Sequence, residues 1–552
     1  MGEVGDSNFM AQTTLDRQSK ATIGHQGDDF PSVASPQARL RLLITTRSLA
    51  IVAERLFLVV VLATGAFLRL WQINALGYNS DEAVYAGQGA AIAADPTLKE
   101  IFPVFRAHPL LFQFIVATQY RLFGVNDLAG RLLSVAIGLA TLYIVYLLGK
   151  QLYGRRAGMI AALIMALMPY HVIVTRQVLL DGPMVFCATL TLYLMARFGT
   201  TRQPIWFYAA GAAMGLTILA KETSIVLIGS IYAFLALSPE VRIRLRDLVM
   251  SFLCLALIIA TFPLSIRLAG GGATKSAGNY VVWQLFRRPN HEWFFYPSTV
   301  PFAIGLLVIA AAILGFWFLR REWSWREKLL IWWIVVPVVF FQLWPTKGFQ
   351  YLLPTAPAFA ILAGRMLGRR IPGRAIKLIR WRFTTDWLQS IAIVVVMLSL
   401  AFSSWQQIQT VISDEFLAGS GGVPGGREAG EWLRTNVPQG ARLMTVGPSM
   451  ANILQFYGHR KGYGLSISPN PLHRNPSYEP ILNPDLQIRS GNLQYLVWDS
   501  FSATRTTFFS EGLLRFVKRY HGRAVHTESV TVTTPDGATA VKPIIIIYEV
   551  RP

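Results

Sequence analysis

The chain has 552 residues, 53% of them hydrophobic and only 15% charged, with 15 Trp and 33 Phe, whereas a soluble domain carries roughly 25% charge. That balance excludes an ordinary soluble enzyme, and apolar runs of roughly 20 residues recurring from Ile51 to Trp405 predict a polytopic membrane protein. The net charge of +21 would suggest nucleic acid in a soluble chain. Here Lys and Arg gather in short loops between apolar runs, the signature of cytoplasmic loops, so a membrane and no nucleic acid is the expected partner.

Residues 1–38 are polar and lack the apolar stretch of a signal peptide, which predicts a disordered cytoplasmic tail. Residues 39–405 read as the membrane domain. Arg39, Arg41, Arg47 and Arg55 precede the first span, about 56–71, and set its start in the cytoplasm. The next stretch, 83–123, reads as one outer loop with two juxtamembrane helices. Its second helix, opened by His108-Pro109, is too short and too polar to cross.

Further spans follow at about 131–149, 157–175, 179–197, 205–220, 223–237, 247–266, 298–319, 329–344, 351–368 and 387–405, about 11 in all, with each Arg-rich short loop inside. Cys187 and Cys254 lie within apolar runs, so neither a disulfide framework nor a cysteine metal site is expected. Residues 406–426, ending in a Gly-rich run, predict a linker. Residues 427–552 alternate helix-like stretches near 427–435, 450–457 and 508–520 with strands at 441–446, 495–498 and 543–550, predicting a small α/β domain that parity puts outside.

The same parity collects Asp81, Glu82, His108, Arg131, Arg176, Asp181, Lys221, Glu222 and Lys347 at outer helix mouths. Carboxylates beside lipid are costly unless solvated or used. Arg and Lys could hold the phosphate of a lipid-linked sugar, a carboxylate could take the proton of an incoming hydroxyl, and the cations would stabilise the departing phosphate. Blander roles stand beside these. Ser80-Asp81 could cap a helix, Arg131 and Lys221 could snorkel, and Arg176 with Asp181 could be a structural ion pair. His108 could simply shape a turn, and Asp414-Glu415, after the last span, reads as ordinary loop charge. No cofactor is required, although Asp81 and Glu82 could share a divalent metal through water. His291-Glu292 lacks the second His of a zinc-protease helix, and no Walker loop or tail Trp-Trp-Asp tripeptide is present.

The motif order over roughly 55–370 resembles the GT-C glycosyltransferases of the protein mannosyltransferase and aminoarabinose transferase type. The pieces are Asp81-Glu82, His108-Pro109, Ala129-Gly130-Arg131-Leu132-Leu133-Ser134, Tyr153-Gly154-Arg155-Arg156-Ala157-Gly158, Arg176 to Asp181-Gly182-Pro183, the run to Lys221-Glu222, and Lys347-Gly348-Phe349-Gln350-Tyr351. His108-Pro109-Leu110-Leu111 stands where the family often has His-Pro-Pro-Leu, and Gln350 where it often has Arg or His.

The resemblance implies a GT-C fold and inverting transfer from a polyprenyl-phosphate sugar to an extracytoplasmic lipid, glycan or protein. It makes Asp81 the general base and Glu82 its support, with Tyr351 among the donor-side residues. A bacterial plasma membrane is the expected location. A transporter or flippase of a lipid-linked or anionic substrate, and a scaffold binding partners through its tail, are the rival readings. Spans nearly free of internal charge and motifs confined to the first half weigh against transport.

Overall fold

The computed structural model describes residues 36–104, 109–268, 289–369, 375–378, 381–412, 422–470, 474–475, 478–533 and 538–552. Residues 1–35 of the expected N-terminal tail, His108, Asp414-Glu415 and residues 413–421 of the linker therefore lie outside the described residues. Contacts divide the chain into Met1–Arg55 and Leu56–Pro552, and the second unit holds every site residue considered below.

Among the described residues five helices are long and apolar enough to cross a bilayer: Ile51–Leu70, Asp127–Tyr153, Asp181–Thr201, Leu245–Leu268 and Trp387–Ile408. Phe295–Ile304 and Leu306–Phe318 reach that length only together, and they meet at 91°, as in a broken span or a re-entrant loop. A continuous span was the expectation there. Gly305 sits at the break with φ of +101°, a conformation favoured by glycine, and Pro301 removes a backbone donor one turn earlier.

Other expected spans are interrupted for similar reasons. The 157–175 stretch divides into Arg155–Leu167 and Pro169–Val174, because Pro169 holds Met168 in an extended conformation. The 351–368 stretch begins as a 3-10 turn, Phe349–Thr355, before the helix Ala356–Gly368. The 205–237 hairpin becomes Pro204–Ala220, a 3-10 turn at Glu222–Ile225, and Val226–Leu237. The 329–344 stretch lies in the helix Trp325–Leu343. Among the described residues the membrane part is thus helical apart from one short strand pair at 375–384, but several of the expected spans are interrupted. Small residues let its helices close on one another: a Cβ on Gly211 would stand 2.2 Å from the Ser251 carbonyl oxygen.

The outer loop contains the two expected helices, Ser80–Ile92 and Leu111–Phe123. At 13 residues, the second is about 20 Å long, short of a bilayer core of about 30 Å. The two pack together, with Gln113 Nε2 donating to Gln88 Oε1 at 3.0 Å between them.

Strands β1 (Ala375–Leu378) and β2 (Trp381–Thr384) form a separate antiparallel pair. The C-terminal region is an α/β unit with strands β3 (Arg442–Thr445), β4 (Lys461–Gly464), β5 (Tyr495–Asp499), β6 (Arg523–Thr533) and β7 (Thr539–Glu549), in the order β4-β3-β5-β7-β6. The β3–β4 and β3–β5 pairs are parallel; β5–β7 and β6–β7 are antiparallel. Strands β4 and β6 were not anticipated. One is half glycine (Lys-Gly-Tyr-Gly); the other is an edge strand polar through His526–Ser529, with an alternation only at Val530-Thr531-Val532-Thr533.

This unit is clamped onto the outer loop. Its helix Pro448–Gly458 shares a buried cluster with the Ser80–Ile92 helix, including Ala83, Ala86, Ile453 and Phe456. The Tyr78 N–H donates to Tyr457 Oη at 2.7 Å, and Tyr457 Oη donates to Asp127 Oδ2 at 2.9 Å. Arg427 pairs with Asp127 at 2.6 Å and reaches the Asn74 side chain at 2.8 Å. Tyr457→Phe leaves the Tyr78 N–H and the Asp127 carboxylate each short of a partner. We expect a loss of about 1–3 kcal/mol of stability, read as a lower thermal midpoint of the purified protein in detergent.

Candidate active site

Asn79 begins the site. It is the N-cap of the Ser80–Ile92 helix: its Oδ1 accepts from the Asp81 and Glu82 N–H groups, each at 3.0 Å, while Glu82 Oε2 accepts from the Asn79 N–H at 3.1 Å. This reciprocal cap ties down the first turn. Its Nδ2 donates to Gln177 Oε1 at 2.7 Å. The cap falls on Asn79 and not on the Ser80-Asp81 pair. Ser80 Oγ instead accepts from Asn452 Nδ2 at 3.1 Å.

Glu82 is wholly buried. Its Oε1 accepts from Arg131 Nε at 2.9 Å and the Val178 N–H at 3.0 Å. Its Oε2 accepts from Arg131 Nη2 at 2.8 Å as well as from Asn79. A carboxylate has about four acceptor sites, and all of them are occupied. Arg131 is equally committed. Beyond Glu82 it donates to the carbonyls of Ile73, Leu76 and Gly77 at 2.7, 2.8 and 3.0 Å, which accounts for all five of its N–H groups. The pair fastens the 73–82 loop to the Asp127–Tyr153 helix.

Asp81, one residue earlier, turns the other way. It is exposed and lines a cavity of about 740 Å³ with Asn79, Gln177, His291, Gln350 and Gln406, among others. The helix periodicity makes this division, since consecutive residues point about 100° apart. Among the described lining residues Asp81 is the one acid.

The remaining expected site residues fall into separate groups. Lys221 Nζ donates to both oxygens of Asp181 at 2.8 Å and lies 5.3 Å from the centre of the Tyr351 ring, so these three form one buried cluster. Asp181 thus pairs with Lys221 and not with Arg176. The Arg176 guanidinium instead donates to the carbonyls of Trp71 and Ile408. Lys347 exchanges backbone hydrogen bonds with the Asn290 amide at 2.7 and 2.8 Å, and its ammonium lies 5.6 Å from the Trp293 ring centre. Gln177, beside Arg176, and Gly348, beside Lys347, both line the cavity. Lys221, Asp181, Tyr351 and Arg131 are not among the lining residues.

Sequence reading missed several lining residues: His291, the Gln406, Gln407 and Gln409 amides at the end of the Trp387–Ile408 helix, and Ser449 and Tyr478 from the C-terminal unit. The three glutamines within four positions of an apolar span's end were the available signal. For His291, Ser449 and Tyr478 there was none. A metal shared by Asp81 and Glu82 does not fit, because binding it would displace a donor already bound to Glu82. Among the described residues no cluster of three His, Cys, Asp or Glu side chains could hold a metal.

Residues 107–266 match the model of a family described as dolichyl-phosphate-mannose-protein mannosyltransferase. An uncharacterised protein of Aquifex aeolicus (strain VF5) is 24% identical over 319 residues, 53% of this chain and 60% of its own length. The chain thus spans less than two thirds of that relative. The crystal structure of ArnT from Cupriavidus metallidurans, bound to undecaprenyl phosphate, matches with a TM-score of 0.63 at 15% identity, over 89% of this chain and 97% of that one. The archaeal oligosaccharyltransferase AglB from Archaeoglobus fulgidus, in complex with an inhibitory peptide and a dolichol-phosphate, matches with a TM-score of 0.51 at 13% identity, over 89% and 74% of the two chains. The chain thus shares the fold of these structures, a segment of it resembles the mannosyltransferase family, and its long apolar helices make it an integral membrane protein.

Breaking the Glu82–Arg131 pair from either side leaves an uncompensated buried charge. Arg131→Ala and Glu82→Gln should each cost about 3–5 kcal/mol, and thermal unfolding in detergent would register the loss. Midpoints like the wild type's would mean that the pair does not hold the loop.

Proposed function

We propose that this protein transfers a sugar from a polyprenyl-phosphate donor to a hydroxyl-bearing acceptor outside the cytoplasm, with inversion at the anomeric carbon and Asp81 as general base. One observation carries the reading: Asp81 stands on the wall of the large cavity while its neighbour Glu82 is fully spent on Arg131, Asn79 and Val178. The two carboxylates have different environments and so different work. The shared fold with ArnT, which was crystallised with undecaprenyl phosphate, supports the donor class.

In the proposed reaction, the acceptor hydroxyl gives its proton to the Asp81 carboxylate as its oxygen attacks the anomeric carbon. The bond from that carbon to the phosphate oxygen breaks on the opposite face, and polyprenyl phosphate leaves. Lys347 and Arg176, each one residue from the cavity wall, are our candidates to hold that phosphate and stabilise its growing charge. Glu82 and Arg131 are positioning residues for the Asp81 turn. The Asp181–Lys221–Tyr351 cluster supports the segment around Gly348 from behind, since Gly348 packs on the Tyr351 ring. The positive loops inside and the cavity outside follow from charge parity, which suits a bacterial plasma membrane with both the active site and the C-terminal unit extracytoplasmic. The acceptor is a lipid, glycan or protein.

Asp81→Asn should keep the wild-type thermal midpoint and lose about 10²–10⁴-fold in transfer rate, measured in membranes supplied with lipid-linked sugar. Wild-type rates in a correctly inserted variant would remove Asp81 from the chemistry. Mass spectrometry of envelope lipids and glycans from a deletion strain would name the sugar and the molecule that lacks it.

A further inference from the structure

A second concavity, of about 120 Å³, opens at the carboxyl ends of β3 and β5. On this measure one water needs roughly 10–15 Å³, so there is room for a ligand of several heavy atoms. Gly447, Ser449, Ser466, Asp499, Ser502 and Arg505 are among its lining residues. From β3 the chain passes through the Pro448–Gly458 helix to β4 on one side, then returns to β5 on the other. The crevice therefore lies where the strand order reverses, the usual ligand position in an open α/β sheet.

Asp499 is the feature that asks for a ligand. It is fully buried, and its Oδ1 accepts from the Ser502 N–H at 2.7 Å, capping the Ser500–Arg505 helix. Its Oδ2 is buried without a hydrogen-bond partner. A cap needs one oxygen only, and leaving the second unmet is costly. Burial pushes the carboxyl group up to about 6. The Pro448–Gly458 helix, whose first residues line the same crevice, begins at Gly447 with no side chain capping its first N–H groups. Acceptor and donors thus line one small space together with Ser449, Ser466 and Ser502, and with Met450 and Phe501 as apolar wall.

We infer that this crevice is an acceptor subsite for a neutral sugar ring, with Asp499 Oδ2 accepting from a ring hydroxyl and the helix N–H groups and serines donating to its oxygens. An anion would meet the carboxylate. A purely apolar group would leave the serines and Asp499 unmet. A sugar offers both hydroxyls and an apolar face. Ser449 lines this crevice and the 740 Å³ cavity alike, so a ring held here adjoins the site of transfer. The acceptor role rests on the glycosyltransferase reading above; binding of the sugar does not.

The full chain in lipid nanodiscs can be tested by saturation-transfer NMR with methyl α-D-mannopyranoside, methyl α-D-galactopyranoside and N-acetyl-D-glucosamine, with inorganic phosphate as the comparison ligand. At least one glycoside should saturate at pH 7.5. Asp499→Asn keeps the capping oxygen and replaces the unmet acceptor with a donor; it should weaken that binding about tenfold or more. Wild-type binding should also fall below about pH 6, where Asp499 gains a proton and loses its acceptor character. Arg505 is the other charged lining side chain.

If no glycoside saturates, if Asp499→Asn binds as tightly as wild type, or if phosphate binds in their place, the proposal fails. Asp81→Asn should retain glycoside binding while losing transfer. Asp499-dependent sugar binding in a wild-type protein without transfer activity would overturn the acceptor role and the glycosyltransferase reading, but leave the sugar site standing.

Discussion

The buried contact between Glu82 and Arg131 is what the rest of the site hangs from. A charged pair with no exposed surface is tolerable only if every lone pair and every N–H finds a partner. Here each does, and the partners are the backbone of the 73–77 turn, the cap of the Ser80–Ile92 helix and the Val178 amide. Three stretches distant in sequence, 73–82, the Arg131 helix and Val178, are thereby joined at one point. The neighbouring carboxylate of Asp81 inherits a fixed position from this arrangement without taking part in it.

The C-terminal unit extends the same logic. It does not hang from the membrane part as a separate bead. Its helix Pro448–Gly458 continues the apolar core of the outer loop, and Tyr457, Arg427 and Asn452 satisfy polar groups on Tyr78, Asp127 and Ser80. Two of its residues, Ser449 and Tyr478, complete the wall of the large cavity. The wall of the large cavity and the position of Asp81 therefore depend on the same helix-to-helix contact.

Breaks in the apolar helices serve the site as well. The 91° bend at Gly305 and the 3-10 turn at Phe349–Thr355 follow short segments that reach the cavity: Phe295 and Thr299 from the first, Gly348 to Gln350 from around the second. A straight span would carry these positions into lipid. Pro301, Gly305 and Pro354 cost helix hydrogen bonds, and the freed backbone is met in part by side chains: the Tyr296 hydroxyl contacts both the N–H and the carbonyl of Gly348, and Trp333 Nε1 donates to the Pro354 carbonyl.

By itself the sequence determined the membrane class, the mostly helical architecture and the two short helices between 80 and 123, and it singled out the Asp81-Glu82 pair. These follow from hydropathy, loop charge and local motif order, all of which are written along the chain. Three helices of the tail and the strands β3, β5 and β7 were legible through their apolar residues, whereas the glycine-rich β4 and the edge strand β6, polar over its first half, were not anticipated. Only the tertiary structure decided the division of labour. Whether a cation serves a ligand or a neighbour depends on what lies within 3 Å of it, and no one-dimensional pattern contains that distance. So Arg131 and Lys221, which read as phosphate ligands, are held by Glu82 and Asp181. Asp499, which no sequence pattern singles out, is left with an unmet oxygen in a crevice.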